Sequence, residues 1–164
     1  MVTRIIALLE TLEHSEEINE SLEGAKCEVE VVTTFAKAKA FLQGRSCDLI
    51  ISDVHLENGG SVFDFLKWVK KEPRLRAIPF VLFGLERTEM AKYLSDGVRT
   101  SARFLGAAKY ISMAKFDRAT FRSEIEWLLP NDRVGDYYAE RAGDGDGKTG
   151  SNDRVLLGRH SEVE

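Results

Sequence analysis

Two carboxylates follow strand-like apolar runs. Glu10 comes after Arg4–Leu9 (RIIALL), and Asp53 comes after the buried-looking run LIIS that begins at Leu49. If both runs are neighbouring strands of a parallel sheet, the two carboxylates emerge in one crevice at its carboxyl edge, where open sheets of this kind gather their functional groups. A pair of carboxylates suits a hard divalent cation such as Mg2+, which wants oxygen ligands and keeps several waters. Such a cation neutralises an incoming phosphoryl group, and a carboxylate can act as the nucleophile that accepts it. Spacing alone leaves a plainer reading open, in which Asp53 caps the loop VHLENGG and Glu10 is simply solvated. The other residues expected at this edge are Thr11, Glu13, His55, Gly84 and Met113. Neither His14 nor His160 has an evident partner, and neither reads as a catalytic base.

These positions depend on the elements that hold them. Five apolar runs recur along the chain: Arg4–Leu9, Cys27–Val32, Asp48–Ile51, Ile78–Phe83 and Lys109–Ser112, separated by segments of helical periodicity. That alternation predicts a parallel sheet covered by helices. Right-handed crossovers through five parallel strands leave few topologies, and the doubly wound flavodoxin-like order 2-1-3-4-5 is the expected one. Ser61–Lys71 places Val62, Phe65, Leu66 and Val69 on one helical face behind a Ser61-x-x-Asp64 capping box. Asp117 is the expected N-cap of a last helix carrying Phe121, Ile125 and Leu128 and stopped by Pro130. Shorter helices are expected near Ser15–Leu22 and Thr34–Leu42. Glu86–Leu105 is a longer helical segment that Asp96–Gly97 is expected to interrupt, with Met90, Tyr93, Leu94, Val98 and Leu105 facing the core.

The 164 residues suffice for one ordinary domain, and 43% apolar content is enough for its core. A formal net charge of -4 gives no basic footprint for nucleic acid or an anionic membrane surface. No apolar run approaches the roughly 18 residues of a membrane span, so a cytosolic location is expected. Cys27 and Cys47 read as small buried hydrophobes rather than a disulfide or metal pair. Residues 131–164 contain six glycines, eight Asp or Glu and five Lys or Arg, and read as a mobile polar tail after a domain spanning residues 1–130. Within the tail, GDGDGKTG lacks the first glycine of a phosphate loop, where Ala142 stands, and has no preceding strand. Asp144 and Asp146 begin a calcium-loop pattern that fails at Lys148 and Val155.

The segment CDLIISDVHL, followed by a glycine-rich turn and an amphipathic helix, resembles the phosphoacceptor segment of the receiver domains of two-component response regulators, the CheY-like family. The likeness runs over about Thr3 to Leu129 and includes IPFVLF as fourth strand and LGAAKYIS leading into the fifth. The resemblance implies that Asp53 is the phosphoacceptor, that Glu10 occupies the first of two acidic metal positions, and that the His55 backbone carbonyl is a third ligand. It also implies Tyr110 as the aromatic switch residue, Mg2+ as cofactor, and a histidine kinase or phosphotransfer protein as phosphoryl donor to a module that signals to a downstream protein without being an enzyme. The segment before the Gly-Ala pair is about two helical turns longer than is usual in the family.

The sequence departs from the family at four positions. The second acidic position is Thr11, the hydroxyl residue after the fourth strand is Gly84, the lysine after the fifth is Met113, and the proline that follows is Ala114. In the family that hydroxyl and that lysine bind the phosphoryl oxygens, each through a hydrogen bond to charge worth about 1.5–3 kcal/mol. Lys115 stands where it would point to the same side as Met113 if the strand continues, and Glu13 is close enough in sequence to replace the lost acidic ligand. Three functions follow for comparison. The first is an atypical, stand-alone phosphoacceptor receiver. The second is a pseudo-receiver that binds protein without phosphate. The third, a flavodoxin-like enzyme or nucleotide binder, needs a glycine loop where the chain has ETLEHS.

Overall fold

The computed structural model describes residues 1–54, 61–86 and 88–130. Five parallel strands form one sheet in the order β2-β1-β3-β4-β5, which is the expected doubly wound arrangement. The strands are β1 (Thr3–Leu8), β2 (Cys27–Val32), β3 (Leu49–Asp53), β4 (Phe80–Leu85) and β5 (Lys109–Met113). Their helices are α1 (Ser15–Ser21), α2 (Phe35–Gly44), α3 (Val62–Lys71), α4 (Glu89–Phe104) and α5 (Arg118–Ile125). Three strands reach further toward the carboxyl edge than their apolar runs suggest: β3 includes Asp53, β4 runs to Leu85 and β5 to Met113. Ladder pairing carries the strands beyond the apolar stretch, because backbone groups at a sheet end still need partners. The chain divides into a unit Met1–Asn131 and a second, Asp132–Glu164; the second, with its glycine-rich segment, lies outside the described residues.

Alternation along the strands sorts the core into two layers. Ile6, Leu8, Ile50, Phe80 and Leu82 meet Phe35, Ala38 and Leu42 of α2 and Val62, Phe65, Leu66 and Val69 of α3. Ile5, Ala7, Leu49, Ile51, Val81, Phe83 and Ile111 meet Ile18 of α1 and Phe121 and Ile125 of α5. The helix starts follow the sequence. Thr34, Ser61, Thr88 and Asp117 each accept a hydrogen bond from a backbone N–H of the first turn, satisfying donors that a helix cannot pair internally. Ser61 bonds to the Phe63 N–H at 3.2 Å, while the Asp64 carboxylate lies 3.4 Å from the Lys67 amine, so the expected capping box is closed by Ser61 alone.

Two expectations about α4 are corrected. The helix runs unbroken through Asp96–Gly97; a glycine inside a helix costs only about 1 kcal/mol against alanine, too little to end sixteen residues. Its sheet-facing stripe is Ala91, Ser95, Val98, Ala102 and Leu105, at helical offsets of four and three. Val98 and Leu105 therefore turn inward as expected, but Met90, Tyr93 and Leu94 are 67%, 81% and 57% exposed. Small and polar residues win the inward face because the helix lies close to β5.

Gly106, in the turn from α4 to β5, has φ +95°, a conformation open to glycine and strained for other residues. The space where a Cβ would stand abuts the Lys70 side chain at 3.6 Å. Lys70 Nζ in turn donates to the carbonyls of Arg76 and Ile78 at 3.1 Å. Cys47 is buried and its thiol donates to the Leu49 carbonyl at 3.1 Å, whereas Cys27 is only partly buried, a partial correction. Burial pushes both thiols up, away from nucleophilic thiolate chemistry. No described helix is long and apolar enough to cross a membrane.

Candidate functional site

Asp53 is the last residue of β3, the central strand, and is partly buried. Leu8 of β1 pairs with Ser52, so the residues just beyond Leu8 and just beyond Ser52 leave the sheet at the same edge. Glu10 lies there, in the bend after β1, and is also partly buried. On the other side, Asp53 pairs with Phe83, and the next backbone N–H, of Val54, donates to the Phe83 carbonyl at 3.0 Å. The edge thus carries the two expected carboxylates at the ends of adjacent strands. Among the described residues no three His, Cys, Asp or Glu side chains gather as a metal-holding group; His55, whose carbonyl is the third candidate ligand, lies outside them. The donor set of Glu10 and Asp53 consists of oxygens, which suits Mg2+. Thr11 and Glu13 are exposed on and around a single 3-10 turn, Leu12–His14.

His14 has company that the sequence did not suggest. Its Nδ1 is 2.7 Å from Glu17 Oε2, and its ring stacks on Phe116 at 6.1 Å. The pair spans one helical turn at i and i+3, while the stacking depends on a residue about a hundred positions away, which no local pattern reveals.

Gly84, a departure from the family, and Tyr110, its expected switch residue, prove to be connected through β4 and β5. Gly84 pairs with Ser112 and Leu82 with Tyr110, so Gly84, Glu86, Tyr110 and Ser112 share the α4 side of the sheet by strand alternation. A Cβ placed on Gly84 would stand 3.3 Å from the Tyr110 hydroxyl oxygen, 3.6 Å from Val54 Cγ2 and 3.7 Å from Tyr110 Cε2. The phenol therefore lies over the glycine and reaches into the space its missing side chain leaves. The Arg99 guanidinium sits over the ring, 5.7 Å from its centroid. Burial first, then the negative charges of Glu86 and Asp53, push the Tyr110 phenol up, with Arg99 opposing.

Met113 takes a different direction from the cation it stands for. Its side chain packs with the second core layer, and its sulfur lies 3.2 Å from the Asp117 N–H. The strand ends at Met113, and Lys115 lies in an exposed bend beyond it, so the condition under which Lys115 would share a side with Met113 is not met.

Sequence reading missed Glu86 altogether. A hydrogen bond from Ser95 of α4, then one from Ser112 of β5, hold its carboxylate below the usual range against the opposing effect of desolvation, and Arg99 and Lys92 add favourable charge. Its Oε1 is enclosed without a hydrogen-bond partner. The available signal was the i, i+2 spacing of Gly84 with Glu86 and of Tyr110 with Ser112, which places all four on one face once β4 and β5 are paired.

No protein-family model matches the chain, and no curated protein matches its sequence. Solved structures do match. The chemotaxis response regulator CheY4 of Vibrio cholerae superposes with a TM-score of 0.66 at 20% identity, covering 79% of this chain and 100% of that one. The HemR receiver domain from Leptospira biflexa gives 0.62 at 24% identity, covering 77% and 93%. The receiver domain of a sensor histidine kinase from Pseudomonas aeruginosa, solved with magnesium in its active-site cleft, gives 0.61 at 16% identity, covering 78% and 98%. With the strand order and the helices in agreement, the chain has the CheY-like fold of response-regulator receiver domains.

Proposed function

We propose that this chain is an atypical receiver that accepts a phosphoryl group on Asp53 from a histidine kinase or phosphotransfer protein and signals by altering its affinity for a protein partner. The observation that carries this reading is the placement of Asp53 at the carboxyl end of the central strand, beside the exit of Glu10 from β1. An Asp53 carboxylate oxygen forms the new O–P bond as the P–N bond of a phosphohistidine donor breaks, and the leaving imidazole takes up a proton. Glu10, Asp53 and the His55 carbonyl would hold Mg2+, which supplies charge neutralisation for the incoming group. The magnesium-bound Pseudomonas receiver supports such a site in this fold. Phosphorylated Asp53 would carry a charge near -2 beside Glu10, and Met113 offers no compensating cation.

The test is incubation of the full chain with a small-molecule phosphoryl donor and Mg2+, read by intact mass. A gain of one phosphoryl group by the wild type, lost in Asp53→Ala, is the expected result. No gain by the wild type, or the same gain in the variant, overturns the proposal.

The packing of Met113 into the core favours a second reading, a receiver-fold module that binds its partner without phosphate. Partner binding unchanged by Asp53→Asn, together with a wild type that gains no phosphoryl group, would establish it. The third, enzymatic reading finds no support in the ETLEHS segment after β1, and strong thermal stabilisation by a nucleotide or flavin would be needed to restore it.

A further inference from the structure

The side-chain space above Gly84 is filled from the neighbouring strand. Tyr110 starts on β5, two residues short of the position that pairs with Gly84. Its ring crosses above β4 and brings the hydroxyl oxygen to 3.3 Å from the point where a residue 84 side chain would begin. The same point is 3.6 Å from Val54 Cγ2, and Val54 is the residue directly after Asp53. The phenol oxygen therefore lies near the carboxyl ends of β3 and β4, close to the residue that follows Asp53. We propose that the Tyr110 hydroxyl is the hydrogen-bond donor to a phosphoryl group carried by Asp53, acting through the volume that Gly84 leaves open.

This inference rests on the reading of Asp53 as phosphoacceptor and gives Tyr110 a part in binding the group. The chemistry suits the role. A phosphoryl group offers strong acceptor oxygens and needs donors. Burial, with the charges of Glu86 and Asp53, keeps the phenol protonated, so its O–H is available to donate at neutral pH. Among the described residues, the Ser52 hydroxyl beside Asp53 donates to the Asp53 backbone carbonyl at 3.2 Å. Arg99 over the ring and the packing of the ring against the first core layer hold the phenol in this orientation.

The geometry also supplies its own rescue. Once the phenol oxygen is removed, the nearest atoms to a Cβ on residue 84 are Val54 Cγ2 at 3.6 Å and Tyr110 Cε2 at 3.7 Å, which are ordinary contacts. A Cβ at 84 then has room, and a serine there brings a hydroxyl of its own.

The experiment measures binding of beryllofluoride, an acyl-phosphate mimic, to the full chain with Mg2+ by calorimetry, alongside thermal unfolding without ligand. Tyr110→Phe is expected to weaken binding about tenfold, equivalent to about 1.4 kcal/mol, with little change in unfolding temperature. Adding Gly84→Ser to Tyr110→Phe is expected to recover most of that loss, which a merely structural role for Tyr110 would not produce. Equal affinity of the wild type and Tyr110→Phe overturns the inference while leaving Asp53 as acceptor, provided that Asp53→Ala abolishes binding. A wild type that binds no beryllofluoride overturns this inference together with the reading beneath it. Weakening by Tyr110→Phe that Gly84→Ser does not restore overturns the claim that the hydroxyl itself is what acts.

Discussion

Glu86 shows how far a residue's role depends on partners that are remote in sequence. Ser95 and Ser112 come near it only because β5 pairs with β4 and α4 packs on β5, so nothing within the local segment GLERTE marks it as special. Asp53, by contrast, was legible at once, because a carboxylate directly after four buried strand residues can only emerge at a sheet edge. The Glu86 environment has a consequence for acid stability. Its folded-state ionisation lies below its unfolded value, so it contributes stability above the unfolded value, and that contribution fades as pH falls through the folded one. Urea unfolding between about pH 6 and about pH 3 should show a steeper loss for the wild type than for Glu86→Gln. Parallel curves would mean that the carboxylate is not stabilised in its charged form.

At the scale of elements, α4 was the hardest to read, because its sequence offers two competing stripes. Met90, Tyr93 and Leu94 make the more apolar one, but Ala91, Ser95, Val98, Ala102 and Leu105 make the one that faces the protein. Close approach of helix to strand selects small side chains over large ones, a preference that hydrophobicity alone does not report. The strongly periodic α3 had no such competitor, and all four of its expected core residues are buried. Within α4, Gly97 has nothing within 4 Å of a built Cβ and lies in the helix interior. Gly97→Ala should therefore stabilise the protein by about 0.5–1 kcal/mol, seen as a higher urea midpoint at unchanged slope. A lower midpoint would show that the helix needs the glycine.

For the molecule as a whole, the strand order followed from alternation of apolar runs with helical segments, since parallel strands need crossovers and crossovers restrict topology. What the order could not give was the depth of each strand end, and the site depends on that depth. The layer holding α1 and α5 is joined to the site by aromatic contacts: Phe83, partner of Asp53 in the sheet, meets Phe121 edge-on at 5.7 Å and Phe116 at the same distance. Phe121 is fully buried. Phe121→Ala should cost about 3–5 kcal/mol in global stability by removing buried area and leaving a cavity, measured by urea denaturation. A cost below about 1 kcal/mol would mean that this layer collapses around the loss.

The interlocking of Gly84 with Tyr110 also sets an order on sequence change. While residue 110 is tyrosine, the first atom of a side chain introduced at 84 stands 3.3 Å from the phenol oxygen, which must give by a few tenths of an ångström; after Tyr110→Phe the nearest contacts of that atom are ordinary ones, at 3.6 and 3.7 Å. The two substitutions reach the same double variant by unequal routes, one tighter at its first step than the other. The cost of a substitution at 84 should therefore differ between the tyrosine and phenylalanine backgrounds at 110, so that the history of one position is written into the tolerance of the other.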